Sequence, residues 1–284
     1  MALVSLKEIL ADARGRGYAV GSFNMVGFAF LNGILEAAHE EDSPVILNIA
    51  EGHLHHMQVE QFVPAALQSA QRARVPVAIH LDHGFHFETV VKAVRWGFTS
   101  VMYDGSGLSY EENLATTKAV TRLAQAVGVS VEAEVGKVGG AEGVGEEGTV
   151  SIKDFTDPDM AAQFVKETGI DVLAISVGNV HGLHRTSAKL DFDRIARIRG
   201  LVDVPLALHG GSGIPDESFI KAIRLGVCKV NYFTAMTYAA VLKIREFMKT
   251  DPKGYEWISL EAKNAIKEVV RERMKVFGST GRGY

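Results

Sequence analysis

The feature that most constrains this chain is an eightfold alternation of two kinds of segment. Short apolar runs at residues 20–23, 45–49, 77–81, 100–103, 130–133, 172–176, 206–208 and 229–230 are each followed by an amphipathic stretch. None of the runs alternates cleanly with polar residues, which is the pattern of strands buried on both faces. The stretches at 30–41, 59–74, 88–96, 111–127, 158–168, 192–199, 216–225 and 235–249 carry apolar residues at helical period. Gly97, Gly128, Gly169, Gly200 and Gly226 stand where helices should stop, and Pro44, Pro76 and Pro205 precede the next strand.

Strict β–α alternation demands a parallel sheet. Eight such units in about 250 residues predict an α/β fold closed as a (β/α)8 TIM barrel. An open doubly wound sheet is the alternative, but its G-x-G-x-x-G turn after the first strand is absent. Residues 6–14 read as a helix closing the barrel bottom, and residues 259–276 as an extra C-terminal helix. No linker or low-complexity segment interrupts the pattern, so residues 1–284 read as one domain.

Composition removes several functions. A formal charge of −4 gives no electrostatic case for nucleic acid. Cys228 is the sole cysteine, so no intramolecular disulfide or Cys-based zinc site forms, and any metal must be held by His, Asp or Glu. Residues 1–10 include Lys7 and Glu8 and do not resemble a signal peptide. No run of 18 apolar residues is present to span a membrane, and the expected compartment is the cytoplasm.

Active-site groups of such barrels sit at the carboxyl ends of the strands. The first strand ends in Asn24, the third in Asp82-His83 and the fourth in Asp104; the fifth carries Glu132 and Glu134. The sixth leads to His181-Gly182, the seventh ends in His209-Gly210 and the eighth in Asn231. Taken singly, His83, His181 and His209 would be satisfied core or loop residues. Together, at three strand ends, they read as three imidazoles around a zinc-type ion with an open fourth position. Asp82 reads as a general acid/base beside a metal-polarised oxygen, or as an orienter of an imidazole. Asp104 and Glu134 read either as a second or alternative metal position or as structural hydrogen-bonding groups.

Gly210, Gly211, Ser212 and Gly213 follow the seventh strand, and Asn231, Tyr232, Phe233 and Thr234 follow the eighth. Loops at these two places commonly bind phosphate through backbone N–H groups and helix N-termini. The plain alternative is a turn and a helix capped by Thr234. Residues 136–148 hold six glycines and read as a mobile loop that could deliver Glu142 on closure. His53, His55 and His56 read as solvated or specificity-loop residues, and His39, His80, His86 and His184 as ordinary ones. Lys229 reads as structural, because a Schiff-base lysine would leave three histidines without a task.

These residues carry a resemblance. Leu81-Asp82-His83-Gly84, Asp104-Gly105-Ser106, Glu132-Ala133-Glu134-Val135-Gly136, Gly139-Gly140 with Glu142, His181-Gly182, the LHGGSG run at 208–213 and Lys229-Val230-Asn231 with Thr234 resemble the class II, metal-dependent ketose-bisphosphate aldolases of the fructose and tagatose type. The resemblance spans essentially the whole chain. It implies that His83, His181 and His209 bind Zn2+ or another divalent metal, and that Asp104 and Glu134 form its alternative position. It implies that Asp82 exchanges the C4-hydroxyl proton and Glu142 a proton on the dihydroxyacetone phosphate carbon. Gly182, Gly210, Gly211, Ser212, Asn231, Tyr232, Phe233 and Thr234 would hold phosphate, and Asn24 would lie near the reacting carbons. A monovalent cation (Na+ or K+) near the phosphate loops, a homodimer or homotetramer and an accessory subunit also belong to the family's range.

Three positions depart from that pattern. Ala50 stands where relatives often carry Ser, Gly143 stands where an acidic residue is common, and His184-Arg185-Thr186-Ser187-Ala188 replaces Tyr-Lys-Gly-x-Pro. All three bear on which sugar is taken. The other readings are an aldolase for another phosphorylated ketose or deoxy-keto acid, metal-assisted hydrolysis or isomerisation on the same rim, and a non-catalytic accessory barrel. Retention of Asp82 and all three histidines argues against the last.

Overall fold

The computed structural model describes residues 2–140, 151–182 and 189–283. Strands β1 (Val20–Asn24), β2 (Val45–Ala50), β3 (Val77–Gly84), β4 (Ser100–Tyr103), β5 (Ser130–Val135), β6 (Val172–Ile175), β7 (Leu206–Leu208) and β8 (Val227–Tyr232) pair in parallel. They close in sequence order, with β1 against both β2 and β8. The described elements also include helices α1 (Leu6–Arg16), α2 (Phe28–Glu40), α3 (Val59–Gln71), α4 (Phe87–Trp96), α5 (Tyr110–Gln125), α6 (Pro158–Thr168), α7 (Phe192–Leu201), α8 (Asp216–Arg224), α9 (Thr234–Met248) and α10 (Tyr255–Phe277), with short 3-10 turns at Glu51–His56, Ile152–Asp154 and Gly211–Gly213. The chain is a TIM barrel, as the alternation implied.

The barrel interior is layered. At the bottom, Val20, Ile46, Ala78, Met102, Val172, Ala174 and Ala207 pack on Leu6, Ile9, Leu10 and Ala13 of α1. That helix starts at a capping box of Ser5 and Glu8 and stops at Gly17 in the left-handed conformation. Side chains two residues apart on a strand share a face. One step up from Val20, Ile46 and Ala78, the strands therefore present Ser22, Asn48 and His80, and these are fully buried with Glu132 and Lys229. A further step brings Asn24, Asp82, Glu134 and Asn231 to the rim, all buried. An apolar plug, a buried polar layer and a rim of functional groups thus follow from one period-two pattern.

The expected boundaries differ from the observed ones at instructive places. Gly200 lies inside α7, whose C-cap is Val202. It is the penultimate residue of that helix, which ends at Leu201, so the stop falls one residue beyond the glycine. Thr234 is the first residue of α9 and Phe233 its cap, so Thr234 caps nothing. The segment after α10 docks on the end of α2: Gly281 N–H donates to the Glu41 carbonyl and Arg282 N–H to that of Asp42. Among the described residues no helix is long and apolar enough to cross a membrane.

Candidate active site and metal centre

His83 leaves β3 through a register shift between Leu81 and Gly84, with φ +42°. That left-handed backbone is uncommon for a residue other than glycine, and such conformations persist where the surroundings enforce them. Here His83 Nε2 lies 3.2 Å from His181 Nε2 and 2.9 Å from His209 Nδ1. A tetrahedral ion with bonds of about 2.05 Å separates its nitrogens by roughly 3.3 Å, so the spacing fits. Burial holds His181 neutral, helped by His83 and His209, with its pKa down at about 3. Burial and the nearby Lys229 charge lower His209 as well. Neutral imidazoles are the form a metal binds.

The remaining nitrogens are tied to carboxylates. His83 Nδ1 is 2.6 Å from Asp104 Oδ2, and His209 Nε2 is 2.7 Å from Glu132 Oε1. Such contacts fix the tautomer and aim the other nitrogen at the metal. His83, Asp104 and Glu134 form a second group whose ligand atoms lie within 4.8 Å of one another, as do those of the three histidines. Glu134 Oε1 accepts from Val138 N–H at 3.0 Å, while Oε2 has no hydrogen-bond partner among the described residues. Burial, and then the charge of Asp104, pushes the Glu134 carboxyl up to about 8. A buried carboxyl with an orphaned oxygen beside a second carboxylate calls for a cation or a proton. The donor set therefore fits a divalent ion at either position.

Asp82 sits between two amides. Asn24 Nδ2 donates to Oδ2 at 3.0 Å and Asn231 Nδ2 to Oδ1 at 2.9 Å. Burial alone would raise this carboxyl, but His83, His209 and Lys229 outweigh it and hold it well below the usual range. Asp82 thus accepts from both amides at the rim. Asn24 and Asn231, expected at the substrate, spend these amide hydrogens on Asp82.

The phosphate-loop residues come together in part. Gly210 has φ +65°, and a Cβ there would lie 2.3 Å from the Val180 carbonyl oxygen. A Cβ on Gly211 would lie 2.6 Å from the Asn231 carbonyl oxygen, so this turn accepts only glycine. Ser212 Oγ accepts from Ala235 N–H at 3.1 Å, which joins the loop after β7 to the first turn of α9. Gly182 adjoins His181 with φ +103°. Tyr232 and Phe233 are buried elsewhere: Tyr232 lies under the Arg273 guanidinium, and Phe233 packs on His53 and Phe30. Glu142, Gly143 and residues 184–188 lie outside the described residues.

A cavity of about 560 Å³ opens over His83 and His181. Its walls include Ala50, His53, Phe85, Leu108, Lys137 and Val138. His53 is buried in that wall, while His55 and His56 are exposed. Two roles escaped the sequence. Glu51 accepts from the backbone N–H of Phe85 and His86 and from Thr89 Oγ1, tying the loop after β2 to α4. Glu132 holds His209, and its signal was the two-residue spacing from Glu134, which puts both on the inner face.

A barrel whose rim gathers imidazole and carboxylate donors fitted to a divalent ion, beside a carboxylate held by two amides, has the arrangement of a metal-assisted barrel enzyme. More narrowly, residues 4–282 match the family model described as fructose-bisphosphate aldolase class-II, and the chain belongs to that family of metal-dependent lyases. It is 44% identical over 286 residues to the probable fructose-bisphosphate aldolase of Bacillus subtilis, covering 99% of each chain. It is 42% identical over 289 residues to the fructose-bisphosphate aldolase of Staphylococcus aureus, again covering 99% of each. The crystal structure of the YdjI aldolase from Escherichia coli K12 superposes with a TM-score of 0.88 at 35% identity, covering 99% of this chain and 100% of that one.

Proposed function

We propose that the chain catalyses zinc-dependent, reversible aldol cleavage of a ketose 1,6-bisphosphate of the fructose or tagatose type. The products are dihydroxyacetone phosphate and glyceraldehyde 3-phosphate. The observation that carries this reading is Asp82, gripped by two amides, beside the convergent nitrogens of His83, His181 and His209. The names of the Bacillus and Staphylococcus relatives support the fructose substrate.

His83, His181 and His209 would hold the ion, with Asp104 and Glu134 as its alternative partners. When bound, the ion supplies Lewis-acid polarisation of the ketose carbonyl. Asp82 accepts the proton of the C4 hydroxyl as the C3–C4 bond breaks. The electron pair of that bond passes to C3 and into the C2 carbonyl. Glu142 then returns a proton to C3. Gly182, the Gly210–Ser212 turn and the start of α9 bind the phosphate of the dihydroxyacetone half through backbone N–H groups. A homodimer or homotetramer acting in the cytoplasm, with a monovalent cation near the phosphate loops, belongs to the same reading.

The test is cleavage of fructose and tagatose 1,6-bisphosphate side by side, with zinc and after chelation. Chelator-sensitive turnover of either sugar supports the proposal, and the ratio assigns the epimer. No turnover of either by zinc-loaded protein overturns it.

A further inference from the structure

Beneath His209 the barrel interior holds a Glu132–Lys229 pair and His80, which the proposed chemistry does not use. All four residues are fully buried. Lys229 Nζ lies 3.0 Å from Glu132 Oε1 and 2.9 Å from Oε2. Glu132 Oε1 also accepts from His209 Nε2 at 2.7 Å, and Oε2 lies 3.4 Å from His80 Nε2. The far side of His80 is fixed in turn, with Nδ1 2.8 Å from Ser100 Oγ.

Filling this space with apolar side chains would in general be no less stable, because a buried ion pair struggles to recover its lost hydration. We propose that Glu132 and Lys229 are positioning residues that act as a net-neutral unit to aim His209 Nδ1 at the metal and set the affinity of the metal site. The inference rests on the metal reading of the three histidines.

The chemistry of each partner gives its part. Glu132 accepts the Nε2 proton, which leaves the lone pair on Nδ1 and strengthens it as a donor. His209 is the histidine that turns Nδ1 to its neighbours, whereas His83 and His181 meet through Nε2. Its ring is thus reversed, and the Glu132 contact is what selects that orientation. Lys229 donates to Oε1 and lies within ion-pair distance of Oε2, which restrains the carboxylate beside the imidazole. Its positive charge is matched, so the site above meets a neutral pair. An ammonium buried and engaged in this way is not a nucleophile for a carbonyl.

The pair has a signature that a merely structural role lacks. Glu132→Gln keeps an acceptor for His209 but leaves the Lys229 charge uncompensated beneath the ion. Adding Lys229→Met removes that charge. Chelator-stripped full-length protein is titrated with zinc against a chromophoric chelator, with the fold of each variant checked by circular dichroism and apo melting. Glu132→Gln is expected to bind zinc about 10- to 100-fold more weakly. The double variant is expected to regain several-fold of that loss.

Binding by Glu132→Gln within twofold of the parent, or a double variant no tighter than the single, overturns the inference. If Glu132→Gln does not fold, Glu132→Asp keeps the charge but withdraws it from His209. It is expected to weaken zinc at least tenfold, and parental affinity in it overturns the inference equally. A parent protein that takes up no zinc overturns the metal reading and this inference together.

Discussion

Asn231 Nδ2 donates to Asp82 Oδ1 at 2.9 Å and lies 3.3 Å from His209 Nδ1. One amide thus touches both the carboxylate proposed to exchange the C4-hydroxyl proton and an imidazole proposed to bind the metal. Asn231→Ala leaves Asp82 held by Asn24 alone. Loss of a hydrogen bond to a charged group costs about 1.5–3 kcal/mol, and each 1.4 kcal/mol is tenfold in rate. We expect kcat for cleavage to fall about 10- to 100-fold while zinc content stays at the parental level. Steady-state kinetics with metal analysis checks both halves.

Metal removal should be visible without substrate. An ion that binds only the folded chain stabilises it by about 4 kcal/mol at a thousandfold excess over Kd, and each kcal/mol moves the melting temperature of a chain this size by roughly 2–4 °C. Zinc added to stripped protein should therefore raise the melting temperature by several degrees or more. His181→Ala should abolish most of that rise. Differential scanning calorimetry at fixed zinc reads the effect.

The glycine turn after β7 offers a paired test. Gly210→Ala must place a Cβ 2.3 Å from the Val180 carbonyl oxygen at φ +65°. Strain of this kind costs of order 1–3 kcal/mol, and the displaced turn should raise KM for the phosphorylated sugar. Gly15→Ala, with nothing within 4 Å of the new Cβ, should leave stability and KM unchanged or gain up to about 1 kcal/mol from helix propensity. Urea unfolding and initial rates separate the two.

The plug beneath the barrel should matter for stability and not for chemistry. Leu10 of α1 is fully buried against the lower apolar layer. Leu10→Ala should destabilise by about 2–5 kcal/mol. Well below the lowered melting temperature, kcat should stay within about twofold of the parent.

How much of this was legible beforehand depends on whether a residue's role is local. The strands were readable because a strand covered on both faces must be continuously apolar. The convergence of the three histidines and Asp82 was readable because a barrel puts strand ends on one rim. The Lys229–Glu132–His209 contacts were not, since their partners stand 97 and 77 residues apart and meet only when the barrel closes. The inward or outward aim of Tyr232 and Phe233 was equally hidden, because it depends on Arg273 and His53 arriving from other elements. The stop expected at Gly200 falls one residue later, at Leu201, because helix ends are set by the last hydrogen-bonded turn and not by one residue.

The central claim is that Asp82 handles the C4-hydroxyl proton while a different group handles the proton on the dihydroxyacetone phosphate carbon. The direct measurement follows deuterium exchange into dihydroxyacetone phosphate alone, beside cleavage of the bisphosphate, in zinc-loaded parent and Asp82→Asn. Cleavage should fall about 10²- to 10⁴-fold, with exchange retained within about tenfold. Loss of exchange in step with cleavage, at full zinc occupancy, would contradict that division of labour.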